Sequence, residues 1–388
     1  METAMNDSSL TDDLFGASSY EFERPVKKNF LPWHKPRKQF VREKQWTQLL
    51  LQLVQDNSPE TGVIKYLGLP GDDLLDLRYF HDKVCVPNNL KLKFLGFNKG
   101  MKPGEEHKAN LEVSLDEVNR LTHIDNTSKL VDYEFTNIAR SGSSALQDSQ
   151  AIGPFDVINI DLCDGFAKQP VSPFEETHYN TFSRLMALQA RRKQPWLLFL
   201  TTRTNSNGVN SEVFKRLKGL YGENLENCAK FKTFSIDMLS IDSAEALESR
   251  CGDDLGFSNI FIISLCKWIL QIAMHQSPKS EIFLHDAYSY KVYKGATFPD
   301  LISIAIEVTP TFRVSEDPLK LTTISDDSLI DECVSATQIL EAVSKQCDVD
   351  KILAEDEKLR AAMIESSKIL LDQARYDISG YEDWVLSQ

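Results

Sequence analysis

The sequence has no C-x-x-C pair, no H-x-x-x-H or H-E-x-x-H spacing, no G-x-G-x-x-G and no Walker lysine. Each absence removes a class of function. Seven cysteines, at positions 85, 163, 228, 251, 266, 333 and 347, are scattered and odd in number. That argues against a disulfide framework or a zinc ribbon and for a reduced, cytoplasmic chain. The histidine spacings predict no catalytic metal. Without the glycine fingerprint or the lysine, dinucleotide and P-loop chemistry have little support. Positive charge is short as well: 43 Lys+Arg stand against 57 Asp+Glu, a net charge of -14, so any polyanion must meet a local patch. No apolar run is unbroken enough to span a membrane. The longest, around 257–274, carries Ser258, Asn259, Ser264, Lys267 and Gln271 and is expected to be a buried helix.

The charge that is present is segregated. Residues 1–23 hold six acids and no Lys or Arg, and we expect a disordered acidic tail there. From Arg24 to Lys44 the balance inverts to eight Lys/Arg against the single acid Glu43, with Phe30, Trp33, Phe40 and Trp46 interleaved. Trp33, Lys35, Arg37, Lys38 and Arg42 are the residues of this arm suited to RNA or single-stranded DNA, cations on phosphates and rings on bases. Docking on the acidic body of the same chain, or on a partner protein, competes with that. The spacing of Phe40, Trp46, Leu49, Leu50 and Leu53 carries the arm into an amphipathic helix, completing a segment 24–58.

Strand and helix patterns alternate from residue 59 to about 312. Gly62–Leu69, Leu90–Phe97, Phe155–Ile160 and Trp196–Thr201 are short apolar runs. The patterns 72–80, 111–124 and 173–192 have helical spacing, and two or three helices fill 210–275. A weak strand is expected at 131–138 and a Ser/Gly-rich loop at 139–153. Tyr288–Tyr293 and Leu301–Val308 read as a closing antiparallel pair, and 313–388 as a helical extension. The fold class is α/β: a mostly parallel, Rossmann-like sheet with helices on both faces and an antiparallel last hairpin.

Ligands of such sheets sit beyond the carboxyl ends of the strands. Gly68, Leu69, Pro70 and Gly71 form the first such loop, where glycine lets backbone approach a ligand. Asp72 and Asp73 would repel phosphate there, which suits a ligand bearing an adenosine or an ammonium. After the fourth strand come Asp161 and Asp164, flanking Cys163, as candidate proton acceptors or hydrogen-bond partners of a substrate amine. Phe166 is placed to stack on a base. The two carboxylates disfavour a nucleophilic Cys163 by raising its pKa.

The order of these elements resembles the class I S-adenosylmethionine-dependent methyltransferases. The resemblance covers roughly residues 60–310 and implies that fold, with S-adenosylmethionine held by Gly68, Leu69, Pro70, Gly71, Phe97 and Asn98. It also implies a methyl acceptor, such as a nucleic-acid base, beside Asp161 and Asp164. Phe155–Asp161 looks like the matching strand of tRNA guanine-methylating enzymes, with Leu162 where they usually have proline. Tyr66-Leu67 replaces the acid before the first glycine, and Asn98 stands where an acid normally grips the ribose. The alternative reading is therefore a catalytically degenerate, methyltransferase-like subunit that assembles with protein partners through its C-terminal helices. A third is a nucleic-acid adaptor, for instance in bacterial antiviral defence.

Overall fold

The computed structural model describes residues 26–59, 61–99, 105–162, 164–168, 176–292, 296–311, 321 and 331–387. The acidic tail and Cys163 lie outside them.

Apolar runs bounded by turn residues become strands β1 (Val63–Gly68), β2 (Lys91–Phe97), β3 (Lys129–Val131), β4 (Val157–Asp161) and β5 (Trp196–Arg203). Four more follow, β6 (Ser280–Leu284), β7 (Tyr288–Tyr290), β8 (Leu301–Pro310) and β9 (Cys347–Asp348). All nine share one sheet in the order β3-β2-β1-β4-β5-β8-β7-β9, with β6 pairing the other end of β8. The first five strands are parallel. β8 runs antiparallel to β5, β6 and β7. This is the Rossmann-like, methyltransferase-like arrangement with a reversed strand inserted near one edge, as the strand pattern predicts. β6 was not anticipated. Its period-2 burial is short, and only Ser280, Ile282 and Leu284 turn inward.

The basic arm leads into α1 (Pro36–Val41), a π-helical stretch Arg42–Thr47 and α2 (Gln48–Asp56). α3 (Leu75–Phe80) continues through a π-helical turn into α4 (Val86–Asn88), followed by α5 (Glu105–Asn119) and α6 (Ser144–Ile152). Next come α7 (His178–Gln189), α8 (Ser211–Asn227), α9 (Ala229–Leu239), α10 (Ala244–Arg250) and α11 (Asp254–His275). The chain ends in α12 (Glu332–Ser344), α13 (Val349–Glu355), α14 (Glu357–Gln373) and α15 (Tyr381–Ser387).

Alternating side chains of the strands feed two cores. On one face Ile64, Tyr66, Val157 and Phe199 pack against Phe40, Trp46 and Leu50 of the arm helices, Leu77 and Phe80 of the α3 segment, and Leu353. On the other, Leu67, Ile158, Ile160 and Leu198 pack against Phe182, Tyr221, Phe231, Phe261 and Ile339. Such interleaving places helices on both faces of a buried sheet.

Three expectations are corrected. The stretch 139–153 is not an open loop: the Ser143 hydroxyl accepts from the Leu146 amide at 3.1 Å and caps α6, whose Ala145, Leu146 and Ile152 are buried. The weak strand at 131–138 shrinks to β3 and a 3-10 turn, Phe135–Ala139. Cysteine spacing argued against disulfides, yet Cys228 and Cys333, 105 residues apart, are bonded. Sequence separation conceals a pair that only tertiary packing brings together. The expected buried helix is found: α11 is long and apolar enough to cross a membrane, but 78% of its apolar window lies inside the protein.

Candidate functional site

Strand order reverses between β1 and β4, which makes the crevice at their carboxyl ends the ligand position of the fold. In register, Gly68 lies opposite Asn159, and Asp161, two residues on, lies opposite Thr201 of β5. Alternation along β4 turns Asn159 and Asp161 toward the face that carries the arm helices. The sequence thus brings Gly68 and Asp161 to one edge, and the arm comes with them.

Lys38, on α1, donates to Asp161 Oδ1 at 2.6 Å, its side chain 6% exposed against 20% for the carboxylate. Its ammonium also lies 4.3 Å from the Trp46 ring centroid. Burial alone would lower the Lys38 pKa, but the Asp161 charge and hydrogen bond, together with Tyr290 and Asp76, outweigh it and hold the ammonium charged. One helical turn on, Arg42 Nε donates to Asp76 Oδ1 at 2.7 Å, both side chains buried. Gln45 and Trp46 then tie the helix to β8. The Ser303 hydroxyl donates to Gln45 Oε1 at 2.7 Å and accepts from Trp46 Nε1 at 3.3 Å.

Ahead of α1, Asp73 gathers three donors. Lys27 pairs with Oδ1, while His34 Nε2 (3.3 Å) and the Tyr376 hydroxyl (2.9 Å) donate to Oδ2. Burial would raise the Asp73 pKa, but the His34 hydrogen bond and the Lys27 charge hold it well below the usual carboxylate range. His34 Nδ1 accepts from the Leu31 amide at 3.1 Å, so the neutral ring carries its proton on Nε2. Burial lowers the His34 pKa. Tyr376 follows α14, and the C-terminal helices close over the arm. Lys27 exchanges backbone bonds with Arg375 and Asp377, Phe30 packs on Tyr376, Tyr381 and Trp384, and the Tyr381 hydroxyl donates to His34 O at 2.5 Å.

The predicted cofactor residues are present but turned to internal use. A Cβ on Gly68 would collide with the Tyr66 ring, so this glycine makes room for a side chain of its own strand. The Tyr66 hydroxyl lies beside Asn159, and burial with the Asp76 charge raises its pKa. Pro70 lies against Gly96 of β2, where an added Cβ would meet Pro70 Cγ at 3.0 Å. The Asn98 amide donates to Pro70 O at 3.1 Å and Asp72 Oδ1 at 3.0 Å, bracing the loop. Phe97 is buried among Tyr133 and Phe135. Leu74 holds a left-handed backbone, φ 53°, at the end of the loop, a conformation that costs a non-glycine residue about 1 kcal/mol. Of the two loop glycines, Gly71 is the one that faces open space.

The two predicted carboxylates part company. Asp164 is exposed and pairs with Lys168 at 2.9 Å, away from Asp161. Phe166, expected to be free to stack, is buried among His178, Tyr179, Phe182 and Trp268. Among the arm residues, Lys35, Lys38 and Arg42 are buried, and Arg37 bonds Lys291 O and, at 3.2 Å, Asp350. Trp33 is half-buried. Of the alternatives for the arm, docking on its own body is the one this geometry favours. Sequence reasoning gave Asp73 only a repulsive role toward phosphate and did not single out Asp76, His34 or Tyr376. Matching the cations of 27–42 against the acids of 72–76 would have pointed to the first two. Among the described residues, no group of three or more His, Cys, Asp or Glu is placed to hold a metal ion.

A family model described as PP_RS20740-like matches residues 27–386, from the arm through the last helix. The chain belongs to that family. The match treats arm, sheet and C-terminal helices as one unit, as their packing does. No curated protein matches the chain. Among solved structures, it is similar to a putative class I S-adenosylmethionine-dependent methyltransferase from Listeria monocytogenes, at 12% identity over 80% of this chain and 70% of that one. The TM-score is 0.32, too low to carry an argument, and the fold assignment rests on the strand order above.

Proposed function

We propose that this chain is a methyltransferase-like protein that has given up S-adenosylmethionine chemistry and serves as a non-catalytic subunit assembling with protein partners. The observation that carries the reading is Lys38 seated on Asp161 at the switch point. The residues there do not fit the cofactor. Tyr66 fills the space beside Gly68, Asn98 spends its amide within the loop, and Asp73 is saturated by Lys27, His34 and Tyr376. A ribose or an ammonium entering this edge would meet Asp161, Asp73 and Asn98 already paired, and displacing buried partners leaves their charges uncompensated. Exposed Ile369 and Leu386 on the C-terminal helices support assembly with a protein partner.

Titrating S-adenosylmethionine to millimolar concentration in a calorimeter tests this. We expect no heat and no thermal shift, and binding at micromolar concentration overturns it.

A divergent enzyme is the second reading, favoured by the open space at Gly71 and the part-exposed Asp161 carboxylate. The same titration separates the two. A nucleic-acid role for the arm would have to rely on the exposed Lys28 and the partly exposed Trp33, Arg37 and Lys44.

A further inference from the structure

The Cys228–Cys333 bond packs in the core on the opposite face of the sheet from the arm, next to an ion cluster around a buried lysine that the proposed function does not use. Lys267, on α11, has a side chain 1% exposed and is paired with Glu332 Oε1 at 2.7 Å. Asn224 of α8 accepts from the same ammonium and donates to Glu332 Oε2 at 3.0 Å. Glu332 is the residue before Cys333, in the first turn of α12. On the other side of the bridge, Cys228 caps α9, its sulfur accepting from the Phe231 amide at 3.2 Å, and the Phe231 ring lies 5.7 Å from the Lys267 ammonium. Bridge, lysine and glutamate form one cluster where α8, α9, α11 and α12 meet.

We propose that the Cys228–Cys333 bridge is a redox-operated latch that holds Glu332, and with it the first turn of α12, over the buried Lys267. The reductant is a dithiol. One of its thiolates attacks the Cys333 sulfur, which is less buried than Cys228. The S–S bond breaks and Cys228 leaves as a thiolate, favoured by the Phe231 amide and the N-terminus of α9. The second dithiol sulfur then attacks the mixed disulfide and releases Cys333. Two electrons pass to the protein, two thiols form, and the dithiol closes to its own disulfide. With the covalent link gone, the ion pair, the Asn224–Glu332 hydrogen bond, the Asp331 cap and apolar packing are left to hold the first turn of α12. Buried Lys267 loses its partner each time that turn opens.

The test uses the full chain purified without reductant. Thiol titration in denaturant should count five of the seven cysteines, because two are bridged. Seven would overturn the proposal. Hydrogen exchange in the first turn of α12 should rise about tenfold or more on adding dithiothreitol, with a melting temperature several degrees lower. Cys333→Ser should match the reduced wild type and ignore reductant; if it fails to fold, reduction of the wild type still decides. Glu332→Gln should keep five thiols yet exchange faster than the oxidised wild type, which locates the effect in the ion pair. Exchange and melting unchanged by reduction would overturn the latch.

Discussion

Asp73→Asn is the substitution that most directly probes the arm, because it keeps the shape of the side chain and removes one charge from a site with three donors. The amide oxygen can still accept from Tyr376 or His34, but the Lys27 ammonium loses its counter-charge. Breaking a buried pair by removing one partner costs about 3–5 kcal/mol. Lys27 is 12% exposed, so water recovers part of that, and about 2–3 kcal/mol remains as the expected loss. A chain of 388 residues unfolds with an entropy of about 0.8 kcal/mol per kelvin, so the melting temperature should fall by only about 3 °C. Local opening of the arm reports the change more sensitively. If tryptic cleavage at Arg37 and Lys38 follows the open population, 2–3 kcal/mol corresponds to about 30- to 150-fold faster cutting. Asp164→Asn, on an exposed pair, should change neither rate nor melting temperature. If Asp73→Asn is cleaved at the wild-type rate, the clamp argument is wrong.

Acid should loosen the same clamp. The folded pKa of His34 lies below its ordinary 6.5, so the neutral ring favours the folded state. That contribution is complete above the unfolded value and is lost as pH falls through the lowered folded value. Arm-amide protection, corrected for the slower intrinsic exchange in acid, should therefore fall below about pH 6, and His34→Gln should remove the dependence. Asp73, also lowered, contributes in the same direction but at lower pH. Gly68→Ala should destabilise the protein by about 1–3 kcal/mol in urea titrations by colliding with Tyr66, with partial rescue by Tyr66→Phe. Gly71→Ala meets nothing within 4 Å and should be neutral or slightly stabilising. Lys38→Met should cost about 1–2 kcal/mol, and adding Asp161→Asn should return part of it; a purely additive double mutant would dissolve the inferred pairing.

Period and composition carried the sheet into view. Trp196–Leu200 is apolar on both faces because a helical layer covers each face of this central strand, and its continuous run declared that. Val157–Asp161 and Val63–Gly68 behaved alike. What stayed hidden depended on distant partners. Ser141–Ser144 resembles a loop in composition, yet a single cap by Ser143 starts a helix there. Cys228 and Cys333 have no local signature. The basic arm was visible as a charge run, but its destination was decided by acids at 73, 76, 161 and 350 on four separate elements. Glycine was the most misleading residue. Gly68 looks like room for a ligand, and here the room belongs to Tyr66.

The energetics of the arm also bear on whether it could hold a polyanion. To present Lys38 and Arg42 to phosphates, the chain must uncover Asp161 and Asp76 and lift Trp46 off Phe199, a stacked contact at 6.0 Å between centroids. Leaving the part-exposed Asp161 behind costs about 1–2 kcal/mol and the buried Asp76 several, and Trp46 in its buried place contributes about 1.5–3 kcal/mol more. A phosphate contact in water returns chiefly counterion entropy, which physiological salt weakens. Moving Lys38 and Arg42 from acid to phosphate is therefore uphill. High salt offers the check: nucleic-acid contacts would fade with it, whereas the buried pairs are screened little and arm protection should persist. The cations of the arm act first as counter-charges for a sheet edge that would otherwise hold uncompensated acids; among the described arm cations Lys28 is exposed and Lys44 and Arg37 are partly exposed for a second partner.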